Sequence, residues 1–267
     1  MTSPQTILIT GGASGLGREL ALAAGKAGYR VAIADIHEAR ADETCRMLGD
    51  ANIENMYIEC DVRQQADLRR AVERVAQRWE KLDVMVNNAG VASVGLFEMI
   101  SDDDWQWLLD INLMGVVRGC RAAITAMKRQ GHGHIINISS MAGLTPPPGM
   151  SSYNTAKAAV ISLSESLYTE LAPANIGVTV VCPSFFRSNL KDTLRTPDPV
   201  SAARFERMLT DHDLSAEEIA GLIIAAIEKK TFLLLPHRKG KIAWRSKRWR
   251  PAKFYRQMRG LANKLRR

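Results

Sequence analysis

Tyr153 and Lys157 stand four positions apart in Tyr153-Asn154-Thr155-Ala156-Lys157, the opening of an apolar helical pattern. On a helix that spacing puts the phenol and the ammonium on one face. A phenol titrates at about pH 10 and is a poor base at neutrality, and a nearby cation stabilises phenolate and draws the pKa down. Such a pair could exchange a proton with a substrate oxygen. The spacing alone is common, and most pairs of this kind are surface contacts.

A second group of residues suits a phosphate. Thr10-Gly11-Gly12-Ala13-Ser14-Gly15-Leu16-Gly17 follows an apolar strand pattern and leads into a helical one. Glycine at Gly11 and Gly15 lets the backbone turn tightly and approach a pyrophosphate, while a helix N-terminus offers unpaired N–H groups and a favourable dipole. Asp35 ends the next strand, about 20 residues beyond the turn, where a carboxylate can accept hydrogen bonds from a ribose diol. Its charge would repel a 2′-phosphate, so the spacing predicts NAD over NADP. Arg18 is the nearby cation that could argue otherwise, but it lies within the helix, and Ser14 holds the turn position where a basic side chain would help. Asp35 could also be a simple strand-end cap.

These residues must be carried by alternating elements. Strand patterns occur at Ile7–Thr10, Val31–Asp35, Asn55–Glu59, Leu82–Asn87, His134–Ser139, Val178–Cys182 and Thr231–Leu235, with helical patterns between them. The alternation predicts a Rossmann-like α/β fold, a doubly wound, mostly seven-stranded parallel sheet flanked by helices and followed by a basic C-terminal extension. Strand runs such as Val178-Thr179-Val180-Val181 are apolar almost throughout, as in sheets covered on both faces. The polar segment 189–214, with Pro197 and Pro199, reads as a mobile lid-like insertion. Ser215-Ala216-Glu217-Glu218 reads as a capping box.

The 267 residues, 46% hydrophobic and 24% charged, suit one catalytic domain over 1–235 and a tail over 236–267. The net charge of +8 is unevenly distributed: Pro236–Arg267 holds thirteen Lys or Arg and no Asp or Glu, which leaves an acidic body. Cys45, Cys60, Cys120 and Cys182 are scattered and read as reduced thiols of a cytoplasmic protein. No apolar run approaches the roughly 18 residues of a membrane-spanning helix, and the N-terminus lacks a signal-peptide pattern. His132 and His134 have no partner at ligand spacing, so a solvated turn is expected there and no metal.

With Ile135-Ile136-Asn137-Ile138-Ser139-Ser140, Asn87-Asn88-Ala89-Gly90 and Asp110-Ile111-Asn112-Leu113 added to the glycine turn and the Tyr-Lys pair, the chain resembles the short-chain dehydrogenase/reductases. The likeness runs from residue 5 to about 190 with every major motif in order, and more loosely to Leu235. It implies that Tyr153 is the general acid/base, and that Lys157 lowers its pKa and holds the nicotinamide ribose. Ser140, rather than Ser139, would hydrogen-bond the substrate oxygen, and Asn112 would support a water relaying protons through Lys157. It also implies that Gly11, Ser14, Gly15, Leu16, Gly17 and Asp35 hold the adenosine and pyrophosphate. Asp61 and Val62 would contact adenine, Asn88, Ala89 and Gly90 would line the adenosine side, and Pro183, Phe186 and Ser188 would meet the nicotinamide. Ser184 departs from the glycine usual after this proline, and Ser188 replaces a common threonine. A homodimer or homotetramer is implied as well.

Leu144, Met150, Phe185 and Phe186 suggest a lipophilic substrate. In the tail, Phe254, Met258, Leu261 and Leu265 recur at helical spacing among basic residues, with Trp244, Trp249 and Tyr255 nearby. This predicts a basic amphipathic helix suited to the anionic cytoplasmic face of a membrane. An oligomer contact is an alternative, and nucleic acid is the least favoured partner. The expected function is NAD(H)-dependent interconversion of a secondary alcohol and a ketone. The alternatives are an NAD(H)-binding scaffold at a membrane surface and a fatty acyl thioester reductase.

Overall fold

Short apolar runs form a stack of parallel strands because the inner ones are buried on both faces and helices between the strands return the chain. The computed structural model describes residues 4–210 and 213–265. In chain order the first half comprises β1 (Thr6–Thr10), α1 (Gly15–Lys26), β2 (Arg30–Asp35), α2 (Glu38–Asp50), β3 (Asn55–Glu59), α3 (Gln65–Trp79), β4 (Val84–Asn87), α4 (Asp102–Leu109), and, after a π-helical turn over Asp110–Met114, α5 (Gly115–Gln130). The second half comprises β5 (Gly133–Ile138), α6 (Met141–Leu144), α7 (Ser151–Glu170), β6 (Ile176–Val181), α8 (Pro199–Thr210), α9 (Ala216–Glu228), β7 (Leu233–Leu234), α10 (Arg238–Trp249) and α11 (Pro251–Leu265).

The seven strands are parallel throughout, in the order β3-β2-β1-β4-β5-β6-β7. The order reverses between β1 and β4, and the crevice at that switch point, beyond the carboxyl ends of the strands, is where such sheets bind ligands. Alternation along β1 sends Ile7 and Ile9 into one core with Leu20 of α1 and Ile223 of α9, and Leu8 into the other with Val75 of α3 and Val160 of α7. The capping box at the start of α9 is formed: Ser215 N–H donates to Glu218 Oε2 at 2.7 Å, and Glu218 N–H to Ser215 Oγ at 3.1 Å.

Two expectations need correction. Segment 189–214 is not a bare insertion: it carries a 3-10 turn over Asn189–Thr193 and helix α8, whose Phe205 and Leu209 are buried with Ala92, Val94 and Met150. Residues 211 and 212 of that segment lie outside the described residues. His134 is not in a solvated turn. It is buried in β5 with Nε2 at 2.8 Å from Thr179 Oγ1, and burial pushes its pKa down to about 4. The helix expected after Pro251 is formed, with that proline opening it where its missing N–H costs nothing, and a further helix, α10, precedes it. No helix among the described residues is long and apolar enough to cross a membrane. All four cysteines are free.

Candidate active site

At the nucleotide end, backbone geometry does most of the shaping. Gly11 and Gly15 adopt left-handed φ values of 63° and 53°. A Cβ on Gly15 would have Asn189 N at 3.7 Å and Ser188 Cβ at 3.9 Å as nearest neighbours, so it would project into the space between the turn and the loop after β6. A Cβ on Gly17 would collide with the Gly11 carbonyl. Gly17 therefore lies beneath the cradle and lets the helix pack, while Gly11, Ser14, Gly15 and Leu16 line the groove. Ser14 caps α1 without a side-chain cap bond, which leaves first-turn N–H groups for an anion.

Asp35 is 8% exposed, and each of its oxygens accepts one backbone N–H, Oδ2 from Ala13 and Oδ1 from His37, both at 3.0 Å. The carboxylate thus ties the glycine turn to the end of β2 and still lines the groove. Cations near it are engaged elsewhere. Arg18 bonds Thr44 Oγ1 at 2.9 Å and Glu43 at 2.7 Å, Arg40 pairs with Asp192 at 3.1 Å, and Arg63 pairs with Asp61 at 2.7 Å. That last pair holds the Asp61 carboxyl below its usual range.

Asn88 Nδ2 donates to the carbonyls of Thr10 at 2.9 Å and Gly11 at 3.1 Å. Thr10 Oγ1 accepts from the N–H groups of Asn88 at 3.0 Å and Ala89 at 3.2 Å. The end of β4 is thereby latched to the glycine turn. Thr10 carries no signal of this role in the sequence beyond its place at the head of the glycine motif.

At the other end of the same groove, a cavity of about 610 Å³, Ser140, Tyr153 and Lys157 converge. Ser140 caps the four-residue α6, with its hydroxyl accepting from Ala142 N–H at 3.1 Å. Tyr153 stands in the first turn of α7 and lines the same groove as the Ser140 hydroxyl. Lys157 is buried one turn later, with Nζ 5.7 Å from the Tyr153 ring centroid and donating to the Ile138 carbonyl at 2.9 Å. Ser139 Oγ is spent on the Lys157 carbonyl at 2.7 Å and so holds α7 against β5.

The expected lowering of the Tyr153 pKa is not found. Burial pushes the phenol up to about 12 against the opposing pull of the Ser140 hydroxyl, and it pushes the Lys157 ammonium down to about 8. Burial dominates at both groups, because taking either charge out of water disfavours it.

Asn112 does not line the groove. It sits fully buried in the π-helical turn and exchanges two hydrogen bonds with Val91, Nδ2 to the carbonyl and N–H to Oδ1, both at 2.8 Å. A Cβ built on Gly90 would lie 3.2 Å from Asn112 Oδ1 and 3.7 Å from Lys157 Nζ, so the two side chains flank that glycine.

Asp61, Val62, Asn88, Ala89 and Gly90 line the same groove, and so do Pro183, Phe186 and Ser188 of the loop after β6. Of the expected substrate wall, Met150, Phe185 and Phe186 face the groove, whereas Leu144 packs away from it with Trp244. Arg195 was missed altogether. Its backbone pairs with Ala92 and Val94, its side chain reaches Asp104 at 2.9 Å, and its guanidinium lies 3.9 Å from the centroid of Trp107, which also lines the groove. The tail contributes Ala243, Phe254, Met258 and Leu261 to the same cavity.

A proton-transfer pair at one end and an anion cradle at the other, across the switch point of a parallel sheet, suit transfer of a hydride with a proton. The family described as short chain dehydrogenase matches residues 5–199. The chain belongs to the short-chain dehydrogenase/reductase family of oxidoreductases. It is 30% identical over 251 residues to a CLA biosynthesis dehydrogenase/reductase of Lactiplantibacillus plantarum, covering 87% of this chain and 88% of that one. It is 32% identical to the 3-oxoacyl-(acyl-carrier-protein) reductase FabG of Staphylococcus aureus, over 73% of this chain and 79% of that one. The crystal structure of a family member from Burkholderia phymatum in complex with NAD superposes with a TM-score of 0.88 at 29% identity, covering 93% of this chain and 95% of that one.

Proposed function

We propose that this dehydrogenase/reductase interconverts a secondary alcohol and its ketone on a lipophilic substrate, with NAD(H) as the hydride partner. The observation that carries the reading is the convergence of Ser140, Tyr153 and buried Lys157 on one groove with the glycine turn and Asp35. The cradle fits NAD: left-handed glycines and free first-turn N–H groups suit the pyrophosphate, and Asp35 suits the ribose diol. Asp35 would repel a 2′-phosphate, and Arg18, Arg40 and Arg63 already have carboxylate partners. The Burkholderia relative, crystallised with NAD, supports this choice.

When bound, the nicotinamide supplies or accepts the hydride. In the reductive direction Tyr153, a neutral phenol at pH 7, donates its proton to the carbonyl oxygen that Ser140 also binds. In the oxidative direction the Lys157 ammonium opposes the cost of forming phenolate, and it also holds the nicotinamide ribose. Asn112 is a positioning residue: both ends of its amide are committed to Val91, next to Gly90 and Lys157 Nζ. The apolar groove and the 3-oxoacyl specificity in the Staphylococcus relative's name favour a ketone on an aliphatic chain.

The test is NADH consumption with 3-oxo esters, methyl ketones and sterols. Wild-type turnover, with Tyr153→Phe inactive but still binding NADH, supports the enzyme. Unchanged cellular function in that variant would favour a scaffold, and an aldehyde product from an acyl thioester would favour the thioester-reductase alternative.

A second reading concerns the outer tail surface, where Ile242, Trp249 and Tyr255 are 57%, 79% and 51% exposed among exposed arginines and lysines. Aromatic anchors with basic neighbours suit an anionic bilayer surface on the cytoplasmic side. Sedimentation with phosphatidylserine vesicles, lost in Trp249→Ser with Tyr255→Ser, tests it; equal sedimentation of both proteins refutes it.

A further inference from the structure

We propose that α10 and α11 form the outer wall of the substrate pocket, and that Phe254, Met258 and Leu261 set the length of aliphatic chain the site accepts. The inference rests on the ketone-reductase reading and goes beyond it by assigning the tail a part in specificity. Phe254, Met258 and Leu261 recur at i, i+4 and i+7, so they share one face of α11, and that face lines the groove that holds Tyr153. They form a gradient outward. Phe254 is 3% exposed, Met258 is half-buried, and Leu261 is 46% exposed. The helix rises about 10 Å over that interval, enough to follow a medium-length alkyl chain from the interior to the mouth. Phe205 and Leu209 of α8, with Phe185 of the loop after β6, supply further apolar side chains to the same cavity.

The wall is tied to the catalytic loop. Ser184 N–H, in the loop after β6, donates to His237 Nδ1 at 3.1 Å just before α10 begins. Gly240 allows α10 to lie against Met141, since a Cβ there would meet its Cγ at 2.9 Å. Trp244 packs with Met141, Ile161 and Leu235, and Lys247 Nζ donates to the Leu144 carbonyl at 2.6 Å. Met141 and Leu144 are the two ends of α6, the helix capped by Ser140, so α10 rests on the helix that positions the substrate-binding hydroxyl.

The experiment measures kcat/KM with NADH for 3-oxo methyl esters of increasing chain length, in wild type, Met258→Trp and Leu261→Ala. Wild type should gain about fourfold per added methylene until the chain reaches the rim. Met258→Trp should move that plateau to shorter chains and cut the long-to-short ratio at least tenfold. Leu261→Ala should lower the ratio only for chains that reach the rim. Parallel profiles in all three proteins would overturn the proposal. If wild type reduces none of the esters, the ketone reading fails by itself. The wall is then judged by binding of a fluorescent polyene fatty acid, where at least tenfold weaker binding to Met258→Trp supports it and unchanged affinity overturns it. Should Met258→Trp not fold, Leu261→Ala and Leu261→Glu at the exposed rim carry the same comparison.

Discussion

The two ends of the groove are built by different means. At the nucleotide end, main-chain geometry and short polar links do the work: left-handed glycines, Asp35 bonded to two backbone N–H groups, and Asn88 and Thr10 latching β4 to the turn. At the substrate end, packing between segments distant in sequence decides the shape. Met150 meets Phe205 of α8, Trp244 of α10 meets Met141, and Phe254 closes the cavity from α11. Left-handed glycines and side chains bonded to the backbone tolerate almost no change in residue type, whereas apolar walls exchange side chains of similar volume at modest cost. The nucleotide end therefore suits a constant cofactor, and the substrate end suits a specificity that can vary.

Where the two ends meet, the largest effect is expected from Tyr153→Phe. Removing the proton donor should lower turnover about 10²- to 10⁴-fold, while NADH binding, read by fluorescence titration, stays intact. A simultaneous loss of NADH binding would show that the two ends are not separable.

Lys157→Met should also abolish turnover, yet make the protein without nucleotide more stable at pH 7, by up to about 3 kcal/mol. Burial holds this ammonium at about 8 against its ordinary 10.5, so charging it costs the folded state. Between those values the unfolded chain keeps a proton that the folded chain has released, and raising the pH through that window favours folding of wild type. The variant's advantage in thermal or urea unfolding should shrink from pH 8 to 10.5. An advantage constant across that range would contradict the assignment.

Asp35→Ala should raise the KM for NADH by roughly 10- to 100-fold and narrow the preference over NADPH, because the same change removes the repulsion of a 2′-phosphate. An unchanged NADH to NADPH ratio would reduce Asp35 to a strand-end cap. Smallest of all, Lys239→Ala breaks the exposed 2.9 Å pair with Asp213 that links the tail to the segment before α9. Exposed pairs contribute at most about 1 kcal/mol, so chain-length selectivity should persist. Its loss would mean that the tail is held by charge rather than by Trp244 and Gly240.

The sheet, the glycine turn and the Tyr-Lys pair are legible in the sequence because their signals are local. The seven strands, Gly11, Gly15, Asp35 and the Tyr153–Lys157 pair each express a backbone requirement or a periodicity within a few residues. Even there, local reading went only part of the way. Gly17 lies under the cradle rather than on its wall, and Asn112 turned out to be bonded to Val91, twenty-one positions earlier in the chain. The direction of the Tyr153 pKa depended on desolvation, which a motif does not express.

By itself the sequence determined the parallel sheet, the anion cradle and the i, i+4 spacing of phenol and ammonium, since all three follow from short-range stereochemistry. Tertiary structure alone decided what the tail's apolar stripe faces. Periodicity shows that Phe254, Met258 and Leu261 share a side, and that side would have suited a bilayer equally well. Only the docking of α10 on α6 turned it toward the cavity, because burial depends on what other segments bring to the same place.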